Sequence, residues 1–112
     1  MRLAGTFQDA VRETVEARGG RVVKCMGDGA LAAFPSTRAA IAAAIALRRE
    51  YPHRNPDGGS PPLRIGVHVG DITTLPDGDL YGDGVNTAAR LQTEAEPGQI
   101  LASEDVWRQM RQ

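Results

Sequence analysis

Residues Gly20 to Phe34, GRVVKCMGDGALAAF, read as two short apolar strands on either side of a Gly-Asp-Gly turn. A hairpin joins its strands antiparallel, so at least part of any sheet in this chain runs that way. Two residues of the segment stand out chemically. Lys24 is the single lysine of a chain with twelve arginines, and it lies inside an apolar strand. A special role accounts for it, and so does arginine-rich coding with one lysine left over. Asp28 lies between two glycines. Asp is a favoured turn residue, and flanking glycines also remove side chains, leaving a carboxylate that a phosphate-bound Mg²⁺ could approach.

Around the hairpin the patterns are helical. Leu3, Phe7, Val11 and Val15 recur every four residues and stop at Gly19-Gly20, which predicts an amphipathic helix. Ser36 suits the N-cap of a second helix from Thr37 to Glu50, whose alanines with Ile41, Ile45 and Leu47 would let it lie close against a sheet. The segment Tyr51 to Pro62 holds four of the seven prolines and reads as a surface loop. Leu63 to Ile72 then alternates, with Leu63, Ile65, Val67 and Val69 on one face and Arg64, Gly66, His68 and Gly70 on the other. The second face has so little bulk that a ligand or another chain has room to come close. His68 on it reads as a half-exposed strand histidine. Pro76-Asp77-Gly78 makes a turn, Asp79 to Gly82 is a short extended piece, and a helix follows from Asp83 or Gly84 to Glu94. Pro97-Gly98 turns again, Gln99 to Ala102 suits a strand, and Ser103 with Glu104 and Asp105 begins a last helix. This order predicts an α+β fold with helices on one face of a mainly antiparallel sheet.

A length of 112 residues allows one domain. The net charge of −1 provides no basic field for nucleic acid, although a few placed groups could still hold a small anion. No apolar run approaches the roughly 18 residues of a membrane span, and the N-terminus lacks a signal-peptide pattern. Cys25, the lone cysteine, forms no internal disulfide. A cytoplasmic location with no membrane contact from this segment is expected.

The most informative stretch is Asp79 to Leu91, DLYGDGVNTAARL. A glycine pair opens a helix whose first turns carry Asn86 and Arg90, four residues apart and so on one face. Free N–H groups at a helix start favour phosphate, and an arginine one turn further in can neutralise charge developing on it; an ordinary surface pair has the same spacing.

The segments GGRVVKCMGDGALAAF, LRIGVHVGDI, DGDLYGDGVNTAARL and EPGQILASEDVW follow one another with the order and spacing of class III nucleotidyl cyclases. The chain resembles their adenylate/guanylate cyclase catalytic domain, most of all the bacterial adenylate cyclase branch. The resemblance runs along essentially the whole chain and covers the middle of the family's domain, so residues 1–112 are expected to form a single partial catalytic domain. It implies a ferredoxin-like, palm-type fold without the family's first strand, which carries another metal aspartate. It also implies that Asp28 binds one of two Mg²⁺ or Mn²⁺ ions. Lys24 and Asp79 would recognise the adenine edge, Asn86 would orient the ribose, and Arg90 would stabilise the pentavalent phosphorus.

The implied reaction is ATP to cyclic AMP and pyrophosphate, in cyclic nucleotide signalling. The implied assembly is a homodimer, or a pairing with another cyclase domain, that shares each site between subunits. The missing strand leaves this segment expected to be silent on its own. A nucleotide-binding or dimerising remnant without turnover, and a plain α+β interaction module, are the alternatives. Lys24-dependent nucleotide binding separates the module from the other two.

Overall fold

The four-residue apolar spacing near the N-terminus becomes helix α1, Leu3–Glu16, with Ala10, Val11, Thr14 and Val15 buried. It ends where expected, the Gly20 N–H reaching back to the Val15 carbonyl at 3.0 Å. The computed structural model describes residues 3–26, 29–54, 63–70 and 72–111. These fall into two compact units, Met1–Pro62 and Leu63–Gln112.

In the first unit, strands β1, Arg21–Met26, and β2, Gly29–Ala33, form the predicted antiparallel hairpin. Its register runs from Arg21 opposite Ala33 to Met26 opposite Gly29, with a shift between Val22 and Lys24 that leaves Val23 as an extra residue, a β-bulge. Helix α2, Thr37–Arg54, starts on the predicted cap: the Ala39 N–H donates to Ser36 Oγ at 3.1 Å. Two expectations change here. The helix passes Glu50 and takes in the first four residues of the segment read as loop. Tyr51 explains why, because it is buried and its ring meets Phe7 of α1 edge to face, with centroids 5.6 Å apart. Pro52 removes one backbone donor, but only two helical residues follow it. The second change is that α2, through its buried Ala43, Ala44 and Ala46, packs principally against α1 rather than against a sheet.

In the second unit, β3, Ile65–Val67, pairs parallel with β6, Ile100–Ala102. Strand β4, Thr73–Thr74, pairs antiparallel with β5, Leu80–Tyr81. Helix α3, Asp83–Glu94, packs on β3 and β6. Helix α4, Glu104–Met110, begins at Ser103, whose Oγ accepts from the Val106 N–H at 3.4 Å, and it buries Val106 to 1% exposure.

Among the described residues of the alternating run Leu63 to Ile72, the strand is Ile65–Val67, paired with Ile100–Ala102. Immediately after β3 the His68 ring turns to Ser103, Nδ1 to Oγ 2.8 Å, and is half-buried. The predicted α+β class holds. Among the described residues its strands form two antiparallel pairs and one parallel pair.

Candidate active site

Helix α3 lies nearer to β3 than side chains would allow. A β-carbon on Gly66 would stand 2.5 Å from the Ala88 carbonyl oxygen and 2.5 Å from the Gln92 backbone nitrogen. The bare strand face therefore does admit a close neighbour, and that neighbour is the chain's own helix rather than a ligand or another chain. At Gly70 the space is taken by His68, whose Nε2 would be 2.8 Å from an added β-carbon. At about 100° per residue, Asn86 and Arg90 fall roughly opposite the side of α3 that carries Gly84 and Ala88. Gly84 is buried, whereas Asn86 and Arg90 are both exposed.

The helix begins at Gly82, with φ 131° and ψ 175°, a conformation open essentially to glycine alone. Gly82 gives the first turn no side-chain acceptor; its carbonyl accepts from the Val85 N–H at 3.1 Å and, longer, from the Asn86 N–H at 3.4 Å. Leu80, Tyr81, Gly82, Asp83, Val85 and Asn86 line an open depression of about 150 Å³ at this junction. A site that encloses a small molecule usually measures about 300–1,000 Å³, so this depression can hold one part of a nucleotide and not surround it.

Asp79, half-buried, enters β5 from a tightly bonded turn. Its carbonyl accepts from the Leu75 N–H at 2.8 Å, and the Gly78 N–H donates to the Leu75 carbonyl at 2.8 Å. Its own N–H donates to Asp77 Oδ1 at 2.9 Å, while its Oδ1 accepts from the Leu80 N–H at 2.8 Å. The carboxylate is thus oriented by the backbone that follows it.

In the second unit Asp79 immediately precedes β5, and α3 brings Asn86 and Arg90 onto one face. Among the described residues neither Asn86 nor Arg90 has a side-chain hydrogen bond or ion pair. Lys24 belongs to the first unit, exposed on β1 opposite Leu31. Asp28 lies outside the described residues. Among the described residues no three His, Cys, Asp or Glu side chains are grouped to hold a metal. None of the described helices is long and apolar enough to cross a membrane. Sequence reasoning missed Asp77, whose signal was present as an Asp two residues before another in a Pro-Asp-Gly turn. It expected a close approach at Gly66 but named a ligand or another chain as the neighbour, where the neighbour is the backbone of α3.

Comparison with known proteins covers the same span. Residues 3–112 match the family model described as the adenylate and guanylate cyclase catalytic domain. An adenylate cyclase of Streptomyces coelicolor is 36% identical over 99 residues, covering 88% of this chain and 25% of that protein. The crystal structure of an adenylate/guanylate cyclase/hydrolase from Silicibacter pomeroyi superposes with a TM-score of 0.78 at 36% identity, over 93% of this chain and 63% of that one. The adenylyl cyclase CyaB from P. aeruginosa shares the fold, with a TM-score of 0.82 at 22% identity over 97% of this chain and 67% of that one. The chain spans 18% to 25% of the length of its curated bacterial relatives.

Proposed function

The chain belongs to the adenylate and guanylate cyclase catalytic domain family, and we propose that residues 1–112 form part of one catalytic domain that converts ATP to 3′,5′-cyclic AMP and pyrophosphate. The observation that carries this reading is the outer face of α3. An amide and a guanidinium stand there one turn apart, exposed and unpaired among the described residues, on a helix whose other face rests on Gly66.

In this reading the ribose 3′-oxygen bonds to the α-phosphorus, the bond from that phosphorus to the bridging oxygen breaks, and the 3′ proton passes to solvent. Arg90 binds the charge that builds on the α-phosphate oxygens, which is where a fixed donor does most for the rate. Asn86 orients the ribose so that its hydroxyl stays in line. Lys24 donates to a ring nitrogen of adenine, and Asp79 accepts from the exocyclic amine. The carboxylate of Asp28 is the hard oxygen donor that Mg²⁺ or Mn²⁺ prefers, and when bound the cation supplies Lewis-acid neutralisation of phosphate charge.

The site is shared in a homodimer, with Asp28 from one copy and Lys24, Asp79, Asn86 and Arg90 from the other. The open depression, too small to surround a nucleotide, supports a second wall from elsewhere. Mixing Lys24→Ala with Asp28→Ala in the protein that carries this chain tests both function and sharing. Each variant alone should be dead, and an equimolar mixture should recover about a quarter of wild-type cyclic AMP formation, because half the dimers are mixed and each holds one intact site. No recovery with dimers confirmed would count against sharing. ATP binding by the wild type without cyclic product would favour the silent nucleotide-binding alternative.

A further inference from the structure

Asp79 is held more firmly than an exposed turn requires. Hydrogen bonds of 2.8–2.9 Å involve it or the turn that delivers it: two join backbone groups, the Leu75 N–H to the Asp79 carbonyl and the Gly78 N–H to the Leu75 carbonyl, and in a third the Leu80 N–H donates to the Asp79 carboxylate. In another the acceptor belongs to a neighbouring side chain: Asp77 Oδ1 accepts the Asp79 N–H at 2.9 Å. Asp77 itself is exposed. Its carboxylate fixes the peptide plane from which the Asp79 side chain departs. The Leu80 N–H then fixes the carboxylate at the far end. A rotation of that peptide would swing the Asp79 oxygens away from a bound base without disturbing the core, since the residues of the turn from Pro76 to Asp79 are exposed or half-buried.

We infer that Asp77 is a positioning residue for base recognition: its Oδ1 holds the Asp79 N–H and so aims the Asp79 carboxylate at the exocyclic amine of the nucleotide. The inference rests on the reading of Asp79 given above. Asp77 touches neither the base nor the phosphates. Its contribution is to narrow the directions in which Asp79 points, and an acceptor oxygen at the same place, with or without a negative charge, does this equally well.

Two measurements on Asp77→Ala and Asp77→Asn test it. The first is amide hydrogen exchange at Asp79 in the protein that carries this chain. Asp77→Ala should speed exchange at the Asp79 N–H about fivefold or more, the size expected for one lost hydrogen bond, and Asp77→Asn should not. The second is kcat/KM for ATP and GTP in the protein that carries this chain. Asp77→Ala should lower the ATP-over-GTP preference by a similar factor, and Asp77→Asn should restore it.

A merely structural turn residue would lower both nucleotides' kcat/KM together and leave their ratio alone, and that outcome overturns the inference. So does Asp77→Asn behaving like Asp77→Ala. Asp79→Ala distinguishes the levels. If it leaves base preference intact, the premise fails and the inference with it. If it abolishes the preference while Asp77→Ala does not, the inference alone fails.

Discussion

Helices α2 and α3 begin in opposite ways. Ser36 places a hydroxyl under the first turn of α2, as Ser103 does for α4. Helix α3 instead starts from Gly82, with no side-chain acceptor and a backbone conformation closed to other residues. The two capped helices carry none of the proposed site residues; the uncapped one carries Asn86 and Arg90. A glycine cap is worth only about a few tenths of a kcal/mol less than a serine cap, so α3 forgoes a little stabilisation at the end that adjoins the depression. Its placement is recovered on the opposite face, where the helix backbone rests on Gly66. In the proposed reading, stability and function are thus divided between two faces of one helix, and each face offers its own variant.

The sharpest separation is expected at Arg90. Arg90→Ala should reduce cyclic AMP formation about 10²–10³-fold, by analogy with a lost oxyanion donor, and leave the thermal midpoint unmoved. Initial rates and a melting curve on the same protein check it, and a large loss of stability would break the division proposed here. Gly66→Ala attacks the other face. Its new β-carbon meets helix backbone, which cannot swing aside, so α3 must lift at a cost of about 1–3 kcal/mol, read as a lower urea midpoint. Turnover should fall with it, because Asn86 and Arg90 ride on the displaced helix. An unchanged midpoint would show that α3 is held by something other than this contact.

The two helix starts follow, with the Ser36 cap giving the smallest effect of all. Gly82→Ala should cost about 1–3 kcal/mol through backbone strain and impair activity. Ser36→Ala should cost about 1 kcal/mol through the lost cap and leave activity intact. Equal effects of the two on turnover would erase the contrast between the helices.

What could be read from the sequence was local. Ser36 and Ser103 announce helices because a hydroxyl cap acts within three residues of itself. The span of α3 was legible for the same reason, a glycine pair followed by a polar face and an apolar one. The last turn of α2 was not, since Pro52 reads as a breaker and the compensating contact of Tyr51 is with Phe7, far away in sequence. Strand β4 consists of Thr73 and Thr74, too short for any alternation to show. The run from Leu63 overshot because alternation records which face a residue would take, not how long its partner strand is. Lys24, Asp28, Asp79, Asn86 and Arg90 were grouped as a candidate site through family resemblance alone. Taken singly, each has an ordinary alternative as a turn or surface residue.

The extra residue in β1 decides which way Lys24 faces. Val22 lies opposite Ala32 and Lys24 opposite Leu31, adjacent positions of β2 whose side chains point to opposite faces. Plain alternation would have put Val22 and Lys24 on the same side. With the bulge, Lys24 shares its side with Arg21, which pairs with Ala33. The lysine's orientation is therefore encoded by a count of residues and not by their identity. Exchanging Val23 for another β-branched residue preserves that count, whereas deleting it yields a more regular ladder in which the strand preceding the lysine is turned over. Over evolutionary time this hairpin should accept substitutions at Val23 far more readily than a change in its length.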